Sequence, residues 1–459
     1  MAELARGRRP SARERLADDR SPRATVARLF LLGDDVALDD VADVVALDDV
    51  APLLSTQSGV ARAAYDVSPY ADDTHDWWVV SDRTAASGRP ARADHVLGVG
   101  RASTTLAQLT VRRPVRSALD VGTGCGVQSL HLSTHADRVT ATDVVDRAVQ
   151  LAATSFALSG VDVELLTGDL VGPVRDRAFD LVVCNPPFVV GPDARFAYRD
   201  ADWSSSPEQE ADALSRRAVR AAAEVLGDGG VAQLLVNWLH VRGEDWRERV
   251  AGWVGDLGVD ALLLERDTQD PAGYVDTWLA DAGESDDEER AEQWRRWLVA
   301  RGVEAVGFGW VVLRRGPGPH RVAVERVVQE VEQPLGEQIG RWLDRLSWLR
   351  DTADPELLDA RLRVADGVRL ESWSRPGTDG WDTELQRLVG GGGFHWSVEC
   401  DEAVAALVAG CDGSRPVAEL VAVLSAATAM PSAELAAAVC GALRPLVERG
   451  ILEPAARQT

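Results

Sequence analysis

The run SALDVGTGCG, Ser117–Gly126, decides the fold. Ala118 and Leu119 begin a short apolar strand, Gly122, Gly124 and Gly126 follow at alternate positions, and a helical pattern comes next. Glycine accepts left-handed backbone and lets the main chain approach a ligand, so a strand, an open turn and a helix are expected here. Working outward to about Arg315, the apolar runs are SALDVG, RVTATD, VDVELLTG, FDLVVCN, VAQLLVN, VDALLLE and VGFGWVVLRR. Amphipathic stretches such as DRAVQLAATSFALSG lie between several of them. Seven strands with intervening helices predict a doubly wound α/β sheet.

A glycine-rich turn alone also suits a dinucleotide. Three acids narrow the ligand. Asp120 stands two residues before the first glycine. A carboxylate there repels a pyrophosphate but suits the ammonium and sulfonium of S-adenosyl-L-methionine. Asp143 ends the next strand, 23 residues on, where it can accept both ribose hydroxyls. Gly168–Asp169 follows the third strand, where an acid can accept from the adenine amino group. S-adenosyl-L-methionine is therefore the expected cofactor.

The fourth strand, FDLVVC, runs into Asn185-Pro186-Pro187-Phe188. Consecutive prolines fix the backbone and offer no N–H. The Pro186 carbonyl and the Asn185 side-chain oxygen then form two acceptors for the hydrogens of an NH2 group, and Phe188 offers a flat face to a conjugated substrate. Held that way, a planar nitrogen is drawn towards a tetrahedral shape that frees its lone pair for in-line attack.

Residues 117–315 resemble the small-domain methyltransferases that modify the glutamine of peptide-chain release factors or the exocyclic amine of adenine or guanine in nucleic acids. DVGTGCG resembles the superfamily's motif and NPPF that of its nitrogen-methylating branch, and the likeness covers under half the chain. It implies a Rossmann-like, seven-stranded methyltransferase sheet. It also implies cofactor contacts from Asp120, Gly122, Thr123, Gly124, Asp143, Asp169 and Asn185, with Asn185, Pro186 and Phe188 holding the acceptor. The fourth motif position is Phe here and Tyr in many relatives, which keeps the stacking face and removes a hydroxyl.

The rest of the chain divides by composition. Residues 1–25 read as a disordered basic tail, the first 28 residues carrying eight arginines against four acids. Residues 26–110 read as a mainly helical N-terminal domain in which VALDDVA occurs at Val36–Ala42 and Val45–Ala51. A nine-residue shift puts the copies on opposite faces of one helix, so two short helices are expected. The methyltransferase domain spans 111–316 and closes at GPGPH. Residues 317–395 form a connecting region of unclear fold ending in the glycine run Gly390–Gly393, expected to be flexible. Residues 396–459 read as a winged-helix-like module.

Net charge is −24 and every one of the 49 cations is arginine. Such a chain repels phosphate backbones unless it gathers arginine locally, and residues 401–459 themselves carry seven acids against four arginines. A macromolecular acceptor is expected, a protein glutamine ahead of a base amine in RNA or DNA, with a non-catalytic S-adenosylmethionine-binding protein as the third reading. Phe196–Asp200, Trp203 and Asn237-Trp238 are further candidates for the substrate side, with local packing as the alternative. The five cysteines and seven histidines form no metal-ligand pattern. No apolar run suits a membrane span and no leader pattern is present, so a cytoplasmic protein is expected.

Overall fold

The computed structural model describes residues 9–83, 94–186, 189–192, 212–281, 284–378, 380–428 and 430–455. They divide into two compact units, Met1–Ala107 with Arg113–Arg326 and Gln108–Arg112 with Val327–Thr459.

The N-terminal part of the first unit is mixed, not mainly helical. Short helices occupy Arg9–Leu16, Pro22–Val26, Leu38–Ala42 and Leu47–Val50. The first two fall where a disordered tail was expected. Ser21 caps one of them by accepting the Ala24 N–H, and Arg13 pairs with Asp34 at 2.7 Å. Each VALDDVA copy supplies one of the other two. Strands β1 (Val36–Ala37), β2 (Leu54–Gln57) and β3 (Val60–Ala63) form an antiparallel sheet, and β4 (Asp66–Ala71) pairs with β5 (Asp76–Ser81) as a hairpin.

All seven strands read from the sequence are present: β6 (Ala118–Val121), β7 (Val139–Asp143), β8 (Glu164–Thr167), β9 (Phe179–Cys184), β10 (Leu226–Val241), β11 (Val259–Gln269) and β12 (Val303–Arg315). An eighth, β13 (Val322–Arg326), extends the sheet beyond residue 316, where a boundary was expected. GPGPH is a turn into this strand, which lies parallel to β11 with Ala261 opposite Val322. The order is β13-β11-β12-β10-β9-β6-β7-β8, and β12 is antiparallel to both neighbours while the other pairs are parallel.

Parallel register levels the strand ends. Val121 lies opposite Thr142 and Cys184, and Asp143 lies opposite Thr167. The residues that follow, Gly122, Val144, Gly168 and Asn185, therefore emerge at one edge of the sheet, where open α/β sheets bind ligands.

Further along the chain come the helices α1 (Arg101–Leu109), α2 (Val127–Leu132), α3 (Asp146–Ser159), α4 (Ala213–Glu224), α5 (Trp246–Ala251), α6 (Pro271–Asp281) and α7 (Glu288–Ala300). One apolar core joins Leu119, Val182, Val219, Trp238 and Leu263. A second joins Trp77, Val79 and Val80 of β5 to Val127, Leu130, Leu151 and Phe156. Strand β5 is also tied to α3 through side chains, as the Trp78 and Val80 N–H groups donate to Ser159 and Ser155 Oγ.

The second unit holds α8 (Gly336–Arg350), α9 (Asp354–Asp359), β14 (Arg361–Val364), β15 (Arg369–Pro376), β16 (Trp381–Val389), β17 (Ser397–Cys400), α10 (Glu402–Ala409), β18 (Asp412–Pro416), α11 (Val417–Thr428), α12 (Ser432–Glu448) and β19 (Leu452–Pro454). Two antiparallel three-stranded sheets result, β18-β14-β19 and β15-β16-β17. A division at residue 395 is not seen. Leu357, Leu362 and Leu388 share one core with Leu407, Leu443, Val447 and Ile451. The glycine run is a packed turn: a Cβ on Gly391 would lie 2.2 Å from the Asp366 carbonyl oxygen.

Candidate active site

Gly122, Thr123 and Gly124 turn the chain out of β6, with φ of 73° at Gly122 and 57° at Gly124. These left-handed values favour glycine. A Cβ at either glycine would meet no atom within 4 Å, so both face open space. Gly126, at φ 92°, serves packing instead, because a Cβ there would lie 2.6 Å from the Phe156 ring. The turn is stitched to β7, with the Gly122 and Thr123 N–H groups donating to the Thr142 carbonyl at 2.8 and 3.0 Å.

The open space is a cavity of about 730 Å3, a volume that admits a nucleoside-sized ligand. Gly122, Thr123, Gly124, Asp143, Asp169, Asn185 and Pro186 all line it, so the structure brings together most of the residues singled out in the sequence. Phe188 and Pro187 lie outside the described residues, as do Phe196–Asp200 and Trp203.

Asp120 is placed differently. It is buried and does not line the cavity. One carboxylate oxygen accepts from Thr123 Oγ1 and Ser129 Oγ, both at 2.7 Å, and from the Ser129 N–H at 3.1 Å. The other oxygen is enclosed without a partner among the described residues. Burial pushes this carboxyl up to about 6, against the pull of those hydrogen bonds. Asp120 therefore braces the glycine turn from beneath.

Asp143 stands on the wall, fixed through both oxygens, one accepting the Gly124 N–H and the other the Val145 N–H, each at 2.9 Å. Asp169 lines the cavity while its carboxylate pairs with Arg217 at 2.6 Å. Asn185 Oδ1 is enclosed at the end of β9 with no hydrogen-bond partner among the described residues. An enclosed amide oxygen carries a desolvation cost until a donor reaches it, so this wall is built to receive an N–H.

The chain beyond the Asn-Pro motif is anchored by two buried aromatic side chains. The Val190 N–H donates to Tyr274 Oη at 2.8 Å, and Trp294 Nε1 donates to the Val190 carbonyl at 2.9 Å. Asn237 Nδ2 also reaches Tyr274 Oη, at 3.4 Å, so Asn237 supports this anchor. Trp238 is core, its indole N–H donating to Glu265 at 2.9 Å and its ring stacked on Trp246.

Several wall residues escaped the sequence reading. Val144 directly follows Asp143 and is half exposed on the cavity, and Leu170 holds a left-handed φ of 48° next to Asp169. Tyr70 of β4 joins them, its hydroxyl 2.7 Å from His131 Nε2. The stretch from Val96 to Ser103 adds further wall, tied down where Asp82 accepts the Val96 N–H at 2.8 Å and pairs with Arg147. Burial alone would raise the Asp82 carboxyl, but Arg147 holds it below the usual range. Only the nearness of this stretch to the glycine turn could have flagged it.

A family model described as methyltransferase small domain matches residues 98–200, and a domain of unknown function, DUF7782, matches residues 340–454. A release factor glutamine methyltransferase of Deinococcus radiodurans is 33% identical over 156 residues, covering 32% of this chain and 55% of that protein. A ribosomal RNA small subunit methyltransferase C of Alcanivorax borkumensis is 34% identical over 119 residues, covering 26% of this chain and 31% of that protein. The match thus spans at most about half the length of these relatives. With its glycine turn, Asp143, Asp169 and its Asn-Pro motif on one cavity, the chain carries a class I S-adenosylmethionine-dependent methyltransferase domain of the small-domain type.

Proposed function

We propose that the chain methylates a planar nitrogen, foremost the side-chain amide of a protein glutamine. The observation that carries this reading is the enclosed Asn185 Oδ1, without a partner among the described residues, on the wall that also holds Gly122 and Asp143. S-adenosylmethionine, when bound, supplies an electrophilic methyl group on a sulfonium. Asp143 would hold its ribose hydroxyls, Asp169 would face its adenine amino group, and the open glycine turn would admit its amino-acid end. Asn185 Oδ1 accepts one N–H of the acceptor amide and turns the nitrogen lone pair towards the methyl group. Phe188 and Pro186 complete the acceptor's seat in this reading.

Charge favours a protein over a nucleic acid. Among the described residues lining the cavity, Asp66, Asp82, Asp143 and Asp169 stand against the single cation Arg101. A phosphate backbone brought to such a mouth meets repulsion. The second reading, methylation of an exocyclic base amine in RNA, is favoured by the likeness to the ribosomal RNA methyltransferase.

The test is transfer of a labelled methyl group into cell extract, followed by nuclease or protease. Label that is lost to protease and kept through nuclease is the expected outcome. Label lost to nuclease alone selects the RNA reading. Binding of S-adenosylmethionine with no transfer to either fraction, across extracts from several growth phases, selects the non-catalytic binder.

A further inference from the structure

The second unit contains a cavity of about 250 Å3 into which Arg341, Arg345, Arg363 and Arg449 converge. The carboxylates on its wall are Asp366 and Glu453, so the lining carries two more positive than negative charges. That is a local reversal in a chain of net charge −24.

The four arginines differ in what holds them. Arg363 is neutralised by Glu453 at 2.5 Å and reaches Asp366 at 3.5 Å. Arg341 pairs with Glu337, also at 2.5 Å, on the exposed side of α8. Arg449 donates to the Ser397 carbonyl at 3.1 Å and lies over the Trp396 ring. Arg345 is mostly buried and donates only its Nε–H, to the Glu448 carbonyl at 3.1 Å. Arg345 lines the cavity, and among the described residues no carboxylate forms an ion pair with it and no acceptor meets its terminal nitrogens. Gly450 makes the room: its φ is 71°, and a Cβ there would lie 3.0 Å from the Arg345 guanidinium. Burial pulls the Arg345 pKa down to about 10, against the opposing pull of Glu453.

The opposite wall is the turn Gly390–Gly392. The Gly390 N–H is taken by the Trp396 carbonyl, whereas those of Gly391 and Gly392 meet no acceptor among the described residues. With Glu337 counted as the partner of Arg341, one positive charge remains in surplus, and together with a guanidinium that has no ion pair among the described residues and a glycine turn on the wall it suits a tetrahedral oxyanion. A phosphomonoester carries about −1.5 to −2 at neutral pH with three acceptor oxygens.

We propose that this cavity binds a phosphate group, free or as the phosphomonoester of a small metabolite, with Arg345 as its principal contact. The site lies wholly in the second unit and stands independently of the methyl-transfer reading.

The experiment is calorimetric titration of the full chain with inorganic phosphate and with adenosine 5′-monophosphate, at constant ionic strength set with sodium chloride. Saturable binding is expected, weakened about tenfold or more by Arg345→Gln and partly restored by Arg345→Lys. Equal affinity for the two probes identifies the phosphate group alone as the ligand, and tighter binding of the monophosphate identifies an ester. Circular dichroism establishes that the variants fold, and Arg449→Gln replaces Arg345→Gln if that chain does not. Heat indistinguishable from the sodium chloride control, or binding unaltered in both glutamine variants, overturns the proposal.

Discussion

Two enclosed oxygens, on Asp120 and on Asn185, mark the site at the scale of single residues. They make different predictions. Asp120 holds its proton more firmly in the folded chain, at about 6, than at its usual 3.8. Its contribution to stability is therefore complete below about pH 4 and is lost as pH rises through 6. Asp120→Asn keeps an acceptor for Thr123 and Ser129 and removes the titration. Relative to that variant, the wild type should lose about 3 kcal/mol between pH 4 and 7, read by urea unfolding at each pH. A parallel pair of curves contradicts this. Asn185→Ala should abolish turnover while S-adenosylmethionine affinity stays within a few-fold by calorimetry. Asp143→Ala should do the reverse, weakening cofactor binding first. An unchanged dissociation constant there would remove Asp143 from the cofactor's contacts.

Elements hold these residues in place through contacts far apart in the chain. Helices α6 and α7 supply Tyr274 and Trp294, which between them satisfy both main-chain groups of Val190, just beyond the Asn-Pro motif. Tyr274→Phe leaves the Val190 N–H buried without that acceptor, at a cost of about 1–3 kcal/mol. The expected signature is a lower melting temperature with kcat reduced and cofactor affinity kept. Strand β12 is shaped by another requirement. Gly309 faces the Trp238 ring, and a Cβ there would lie 2.0 Å from it. Gly309→Ala should destabilise by about 1–3 kcal/mol through overpacking, and Trp238→Leu in the same chain should recover part of the loss. Additive losses in the double variant would deny the contact.

The whole molecule carries 73 acids against 49 arginines. Self-repulsion on that scale weakens the compact state, and salt screens it over about 8–10 Å. Raising sodium chloride from about 20 mM to 500 mM, which shortens the screening length further, should therefore raise the melting temperature. A falling value would show that local arginine–carboxylate pairs outweigh the net charge. The same imbalance gives the arginine-lined cavity of the second unit its interest, because cations are gathered there against the trend of the chain.

The central sheet and its ligand edge were legible in the chain itself. Each strand is a local apolar run, and each motif sits at a strand end or within two residues past it, so parallel pairing alone brings Gly122, Asp143, Asp169 and Asn185 to one edge. Local pattern also determines that a glycine must stand at Gly122 and Gly124. What only the tertiary structure decided is which groups face the ligand and which face the protein. Asp120 looks like a contact in the sequence, yet its side chain turns inward to Thr123 and Ser129. Tyr70, Val144 and Leu170 reach the same wall without any local signal. Residues 317–395 seemed featureless because their apolar side chains complete a core with partners 50 or more positions away, as Leu362 does with Ile451. Periodicity reports contacts within a turn or a strand, whereas orientation and shared cores arise from packing between distant segments, which only the folded chain brings together.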